Sequence, residues 1–374
     1  MHRPESDSRC RQLKILAITS YGAHGPLTGG RLRRDNLLEA LAQRGHDVDR
    51  VDVEARRPGV RSAVASAGLS LRAHLRRRAG AADVILLGDV FCLPMMPVLR
   101  RVGPPVVVDV VDSPYRLVGS APRHTAGERV SVAVQAAQLL PVMQVLLPMA
   151  DGVAYGSEDD LAVDRSRVRR LPEATVVPNG INAALFDVPR GAPPHDGYLA
   201  WLADWNYAPN RESYVWFVDE VAPRLADRVL SRIRTFGPGT PPQGRDGAWA
   251  RAGGLIVHAG FVDPLSAVYD GARGVVAPVA RGAGLANKVI EPLAAGRPVV
   301  TTPVGARGLP RAVQQHLRVA SSGESFAAAM TAVLDHPLDE AAADAGREAV
   351  SLLTWSAAGE AMDGALHGAL GRRG

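Results

Sequence analysis

The chain has 374 residues, enough for two domains of ordinary size, and 47% of them are apolar, which excludes a disordered or merely solvating chain. Two cysteines, Cys10 and Cys92, exclude a disulfide framework and make a reducing, cytoplasmic setting the expectation. The net charge of +5 is uneven: residues 1–190 hold 26 basic and 20 acidic side chains, net +6, and residues 191–374 hold 17 and 18, net −1. An anionic acceptor or a membrane surface would suit the basic half, although an arginine-rich solvated face, as at Arg76, Arg77 and Arg78, is the plainer reading. No motif of a nucleic-acid-binding fold accompanies these charges, so no nucleic-acid partner is expected. The opening MHRPESDSRCRQ lacks the apolar core of a signal peptide and reads as a frayed end.

Leu13 to Thr19 is a short apolar run ending at a turn, the pattern of a buried parallel strand. A loop with Gly22, Gly25, Gly29 and Gly30 then opens a helix with an apolar face at Leu37, Leu38 and Leu41. Gly45 ends that helix and Val48 to Val53 is the next strand. The loop lacks the glycine spacing of a dinucleotide site, and it reads either as a ligand-facing loop or as a tight turn. Asp83 to Leu87 and Pro105 to Val111 are further strands. The second leads into DVVDSPYR, which puts Asp112, Ser113 and Arg116 at a strand's carboxyl end, where α/β sheets place their ligands. Asp112 is a candidate acceptor or sugar contact; a turn or helix-capping role is the alternative.

Ser131 to Met149 is strongly apolar, but Gln135, Gln138, Pro141, Gln144 and Pro148 argue against a membrane span. A partly buried helix is expected, with a peripheral membrane contact as the alternative. Asp151 to Tyr155 reads as a strand, Ser157 as the cap of a helix with acidic residues in its first turn, and Asn179-Gly180 as a turn after another strand. VPRGAPPHDG, 188–197, is the best linker.

Tyr198 opens the second half with a strand, a polar loop (Asp204, Trp205, Asn206, Tyr207, Asn210) and an amphipathic helix. Ile233 to Gly237, Val257 to Val262 and Gly274 to Val279 are strand candidates. The most informative stretch is Arg281 to Leu309: a Gly-rich loop, a short helix, a strand at Pro298 to Thr302 and a Gly-marked turn. Small residues at Gly282, Ala283 and Gly284 let a ligand approach backbone N–H groups, and the free N–H groups of a helix start favour an anion. Proline is tolerated in a first turn, so Pro292 predicts a helix beginning only a few residues earlier, with Lys288 and Glu291 near its opening. Those two share one face. The lysine can meet a diphosphate and the carboxylate can take both hydroxyls of a ribose. Only two of the 43 basic residues are lysines, Lys14 and Lys288, which suggests that geometry requires one here. A surface ion pair between Lys288 and Glu291 is the alternative.

GAGLANKVIEPLAAGRPVVTTPVGARGL resembles the donor-site segment of retaining glycosyltransferases of the GT-B fold, family four. The resemblance places the donor phosphates at Lys288 and the nucleotide ribose at Glu291. It adds the loop Gly282, Ala283, Gly284 and Leu285, and the base beside Gly260, Phe261 and Val262. Gly29 and Gly30 would face the cleft in the first unit. Where the family often has a sugar-facing glutamate this chain has Ala283, and where relatives have histidine before the aspartate it has Val111. The phosphate-holding cations of the polar loop are also missing, which shifts that charge onto Lys288 and Arg281. LLTWSAAGEAMDGAL, from Leu352, resembles the family's helix that crosses back over the first domain.

The fold class implied is α/β: GT-B, two doubly wound parallel-sheet, Rossmann-like domains facing a cleft. Residues 1–190 would bind the acceptor, 191–355 the nucleotide-sugar donor, and 356–374 would form the returning helix. The implied activity moves a sugar from a nucleotide diphosphate sugar, such as a UDP- or GDP-sugar, to an acceptor hydroxyl with retention. The acceptor would be a glycan or lipid intermediate or a small natural product. Lys288 and Asp112 are the catalytic candidates, with no metal and no further cofactor. A sugar-nucleotide epimerase of the same fold and a catalytically silent nucleotide-sugar-binding subunit are the alternatives.

Overall fold

The computed structural model describes residues 11–20, 29–53, 73–121, 125–189, 196–282, 285–336 and 338–373. Ala283, Gly284, Gly22, Gly25, the first ten residues and most of the 188–197 linker lie outside the described residues.

Each half builds one six-stranded sheet in which every pairing is parallel. The first sheet has the order β2-β1-β3-β4-β5-β6, with β1 Lys14–Thr19, β2 Asp47–Asp52, β3 Val84–Leu87, β4 Val106–Val111, β5 Gly152–Tyr155 and β6 Ala174–Val176. The second has the order β12-β11-β10-β7-β8-β9, with β7 Tyr198–Leu202, β8 Ile233–Phe236, β9 Val257–Gly260, β10 Ala272–Ala277, β11 Val299–Thr301 and β12 Leu317–Val319. Parallel sheets bury both faces, which is why inner strands such as β3 and β11 read as unbroken apolar runs, whereas the edge strand β2, DVDRVD, alternates.

On one face of the first sheet, Ile15, Ala17, Val84, Leu86, Val107 and Ala154 pack with Leu37, Leu38 and Leu41 of helix α1 (Gly29–Gln43). On the other, Leu16, Ile18, Ile85, Leu87, Val106 and Val108 form a second core. Helix α2 (Pro114–Ser120) follows β4, capped by Ser113, and α3 (Ala126–Val145) opens with a capping box between Thr125 and Glu128. With the turn after it, α3 is long and apolar enough to cross a membrane, at a mean hydropathy of 1.7. Its Leu139 and Met143 are buried in the core of the first sheet, while Val130, Val134 and Val145 are exposed. Helix α4 (Glu158–Arg167) is capped by Ser157 with Glu158, Asp159 and Asp160 in its first turn, as the sequence predicts.

In the second half, α5 (Ala208–Trp216) and α6 (Asn287–Ala294) carry cleft residues, α7 (Gly323–Asp335) packs on the sheet and α8 (Glu340–Ala349) packs on α6. The chain then returns. Helix α9 (Trp355–Gly371) sends Ala358, Met362, Ala365, Leu366 and Ala369 into the first sheet's core beside α1. Gly359 permits that approach: a Cβ there would lie 2.7 Å from the Ala40 Cβ. Ile181 N–H donates to the Leu353 carbonyl at 2.8 Å, so the outgoing and returning segments run side by side. The turn glycine Gly180 is needed for it, because a Cβ there would sit 2.2 Å from the Trp355 nitrogen.

Candidate active site in the cleft

The stretch leading out of β10 enters α6 with no side-chain cap at its start, so the opening N–H groups are not taken by a capping side chain. Lys288 and Glu291 stand in the first two turns, and they do not pair with each other. The Lys288 ammonium donates to Asn210 Oδ1 at 2.8 Å, and burial lowers its pKa to about 8. Glu291 is 7% exposed, and burial raises it to about 7 against the opposing hydrogen bond from Asn287. The surface-ion-pair alternative therefore does not describe this site. Pro292 lies deeper than a first turn, at the sixth residue of the helix. A helix of only eight residues tolerates it there because the backbone bond a proline forfeits at this point would reach back to Lys288, at the helix opening.

Asn210 is the third residue of α5 rather than part of the polar loop before it, because Pro209 opens the helix, and it also donates to the Asp204 carbonyl at 2.9 Å. Trp205, by contrast, is fully buried against Trp201 and Tyr214 and belongs to the core. Arg281 is tied to Glu212 by two hydrogen bonds, one of them 2.8 Å from Nη2 to Oε1. Leu285 is buried and Gly282 half-buried, while Ala283 and Gly284 fall outside the described residues. Gly260 ends β9 with φ of +73°, followed by Phe261, 62% exposed, and half-buried Val262. Gly29 and Gly30 are the first two residues of α1 rather than part of the loop before it.

The opposite wall is the carboxyl edge of the first sheet. β4 ends at Val111, whose φ of +66° is costly for a β-branched residue, and the chain then turns to present Asp112. Burial raises Asp112 to about 7, Asp160 adds to the effect and Arg33 opposes it. Ser113, not Asp112, caps α2, and its hydroxyl donates to buried Asp164. Arg116 pairs with Asp160 at 3.0 Å. The Asp112 charge also pushes up Tyr207 of the other half, whose largest perturbation is burial, so the two walls face each other here. Gly308 N–H donates to Asp159 Oδ2 at 3.2 Å across the same gap.

The sequence does not reveal the polar ladder that joins the walls. Arg33, 1% exposed, grips Asp109 of β4 with Nε at 2.9 Å and Nη2 at 2.8 Å. Its remaining nitrogen donates to the Val177 carbonyl at 2.7 Å and to Asn179 Oδ1 at 2.9 Å. The Asn179 amide then donates to Asn287 Oδ1 at 2.9 Å and to the Leu285 carbonyl at 3.2 Å, on the donor side. One signal was available: a lone carboxylate inside VVVDVV must find a buried cation. Among the described residues no group of three or more His, Cys, Asp or Glu side chains is arranged to hold a metal ion.

Residues 198–336 match the family model of the group 1 glycosyl transferases. Among solved structures, sucrose-phosphate synthase from Thermosynechococcus elongatus is 17% identical with a TM-score of 0.69, over 93% of this chain and 97% of that one. The UDP-forming α,α-trehalose-phosphate synthase of Burkholderia vietnamiensis is 12% identical with a TM-score of 0.65, over 96% and 98%. The fold is GT-B. HepE from Anabaena, solved in complex with UDP, shares it at 14% identity, a TM-score of 0.61 and coverage of 95% and 99%. No curated protein matches the sequence. In this GT-B frame the matched segment runs from β7 to the end of α7 and includes both Lys288 and Glu291.

Proposed function

We propose that this protein is a retaining, metal-independent glycosyltransferase that moves a sugar from a nucleotide diphosphate sugar to an acceptor hydroxyl. The observation that carries the reading is the pair on α6: one cation and one carboxylate, both desolvated and neither neutralised by the other. A bound diphosphate would give Lys288 its counter-charge, and ribose hydroxyls would give Glu291 its donors. Loop N–H groups ahead of α6 would share the phosphate charge as the sugar–phosphate bond breaks. The anomeric carbon then bonds to the acceptor oxygen, and the acceptor proton passes to the leaving phosphate oxygen, so no separate base is required. Asp112, poised near neutrality on the facing wall, is placed to receive an acceptor hydroxyl.

The test is incubation with UDP- and GDP-sugars, with EDTA, with and without a panel of hydroxyl acceptors, read by mass spectrometry. Transfer should appear in wild type and fall by at least about a hundredfold in Lys288→Ala, whose fold is checked by circular dichroism. Wild-type turnover in that variant would remove the phosphate assignment, and loss with EDTA would remove the metal-independent one. The anomeric coupling of the product tests retention. A second reading has one observation behind it: Asp112 beside Asp160 is a carboxyl pair with one member raised to about 7, as acid–base epimerisation of a bound nucleotide sugar would use. Clean epimerisation without acceptor would favour it, and binding without any conversion would favour a silent subunit.

A further inference from the structure

The far side of the donor half holds a cavity that the transfer reaction does not use. It has a volume of about 100 Å³ and lies at the amino-terminal edge of the second sheet, the edge opposite the cleft. Arg273 enters it from the start of β10, Arg297 from the turn before β11, and His316 and Arg318 from either side of the first residue of β12. His336 closes it from the end of α7. Among the lining residues Asp339 supplies the one carboxylate, and that side chain already accepts from the Ala342 N–H at 3.0 Å as the cap of α8.

The walls are therefore cationic in excess. Arg273 turns Nη2 to the His336 carbonyl at 2.8 Å, yet its Nε is fully buried with no hydrogen-bond partner. Buried donors of that kind are rare in folded proteins and costly to leave unmet. Arg297 is held in place by carbonyls, with Nε to Tyr269 at 2.7 Å and Nη2 to Asp270 at 3.3 Å. Burial lowers its pKa, the Asp270 charge opposes that and the nearby Arg347 lowers it again. A room of this size takes several waters or one tetrahedral oxyanion, and planar guanidinium groups match phosphate oxygens.

We infer that this cavity binds a phosphate group, free or as the monoester end of a small metabolite, through Arg273, Arg318 and the flanking imidazoles. The site is independent of the donor site, but the two share an element. Leu293, which lines the cavity, lies in α6, the helix that carries Lys288 and Glu291 into the cleft.

Isothermal titration calorimetry at constant ionic strength tests this, with inorganic phosphate and with a hexose phosphate as separate probes. Saturable binding of either supports the site, and the tighter of the two identifies the source of the phosphate. Arg318→Ala, at an exposed position that leaves the fold undisturbed, and Arg273→Met should each weaken it at least about tenfold. Arg76→Ala removes an equal charge elsewhere and Lys288→Ala disables the cleft; both should leave the affinity unchanged. Absence of saturable binding by both probes would overturn the inference. So would equal weakening in Arg76→Ala, which would mean net charge alone, or loss in Lys288→Ala, which would place the phosphate in the cleft.

Discussion

Lys288 and Glu291 ordinarily titrate far apart, and burial has brought them to about 8 and about 7. The consequence for the free protein is a narrow window for nucleotide binding. Glu291 accepts ribose hydroxyls only as a carboxylate, so affinity should fall as pH drops below about 7. The Lys288 cation is lost as pH rises through about 8, giving the basic limb. Calorimetry with a nucleoside diphosphate across neutrality should trace this bell, and a flat profile would detach both residues from the ligand. A 2′-deoxy donor should bind about 1–3 kcal/mol more weakly than the ribo form in wild type, and no more weakly in Glu291→Ala. Stability runs the other way. Because the folded pKa of Lys288 lies below its ordinary 10.5, its protonated form opposes folding, and that penalty fades as pH rises from about 8 towards 10.5. Lys288→Met should therefore unfold about 1 kcal/mol harder at neutral pH while losing transfer, measured by denaturant titration.

At the scale of elements, the ladder Asp109–Arg33–Asn179–Asn287 ties β4 and α1 to the opening of α6. Asn179→Ala would leave Arg33 and Asn287 each short of a partner. Turnover should then fall while nucleotide affinity in the donor half changes little, and an equal loss in both would contradict this division. Gly30, in the first turn of α1, poses a related test: Gly30→Val should spare nucleotide affinity and damage transfer if that turn approaches the donor only on closure. Complete loss of nucleotide binding with the fold intact would mean that the donor site extends into the first half. The inner strands were legible because parallel sheets demand apolar runs there, and Gly-marked loops separated them; the edge strand β12, three residues with Arg318 at its centre, was not. Their edges were less so: the run Gly274 to Val279 suggested a strand two residues later than β10, whose pairing with β7 starts at Ala272. Lys288 and Glu291 were legible from spacing and from the scarcity of lysine. Arg33 and Asp109 were not, since 76 residues separate them and only the fold brings them together. Arg273, Arg297, His316 and Arg318 are likewise apart in the chain, and only the three strand starts bring them around one cavity.

For the whole molecule, two adjacent crossings join the halves, one through Ile181 and one through Leu353. Crossings side by side suit rotation about a single axis, and donor binding should give a smaller radius of gyration in solution scattering. An unchanged radius with nucleotide bound would mean that the cleft is already closed. The returning helix also sets an order of assembly. One face of the first sheet, with Ile15, Ala17, Leu86 and Val107, is covered partly by Met362, Leu366 and Ala369. On a translating ribosome those three emerge long after every strand they cover. The second sheet's core needs nothing beyond Val350 and Leu353 and can settle while the first still exposes a greasy flank. The first sheet would thus be completed only after the second, and a stop codon just before Trp355 should send a product lacking this helix to proteases or inclusion bodies.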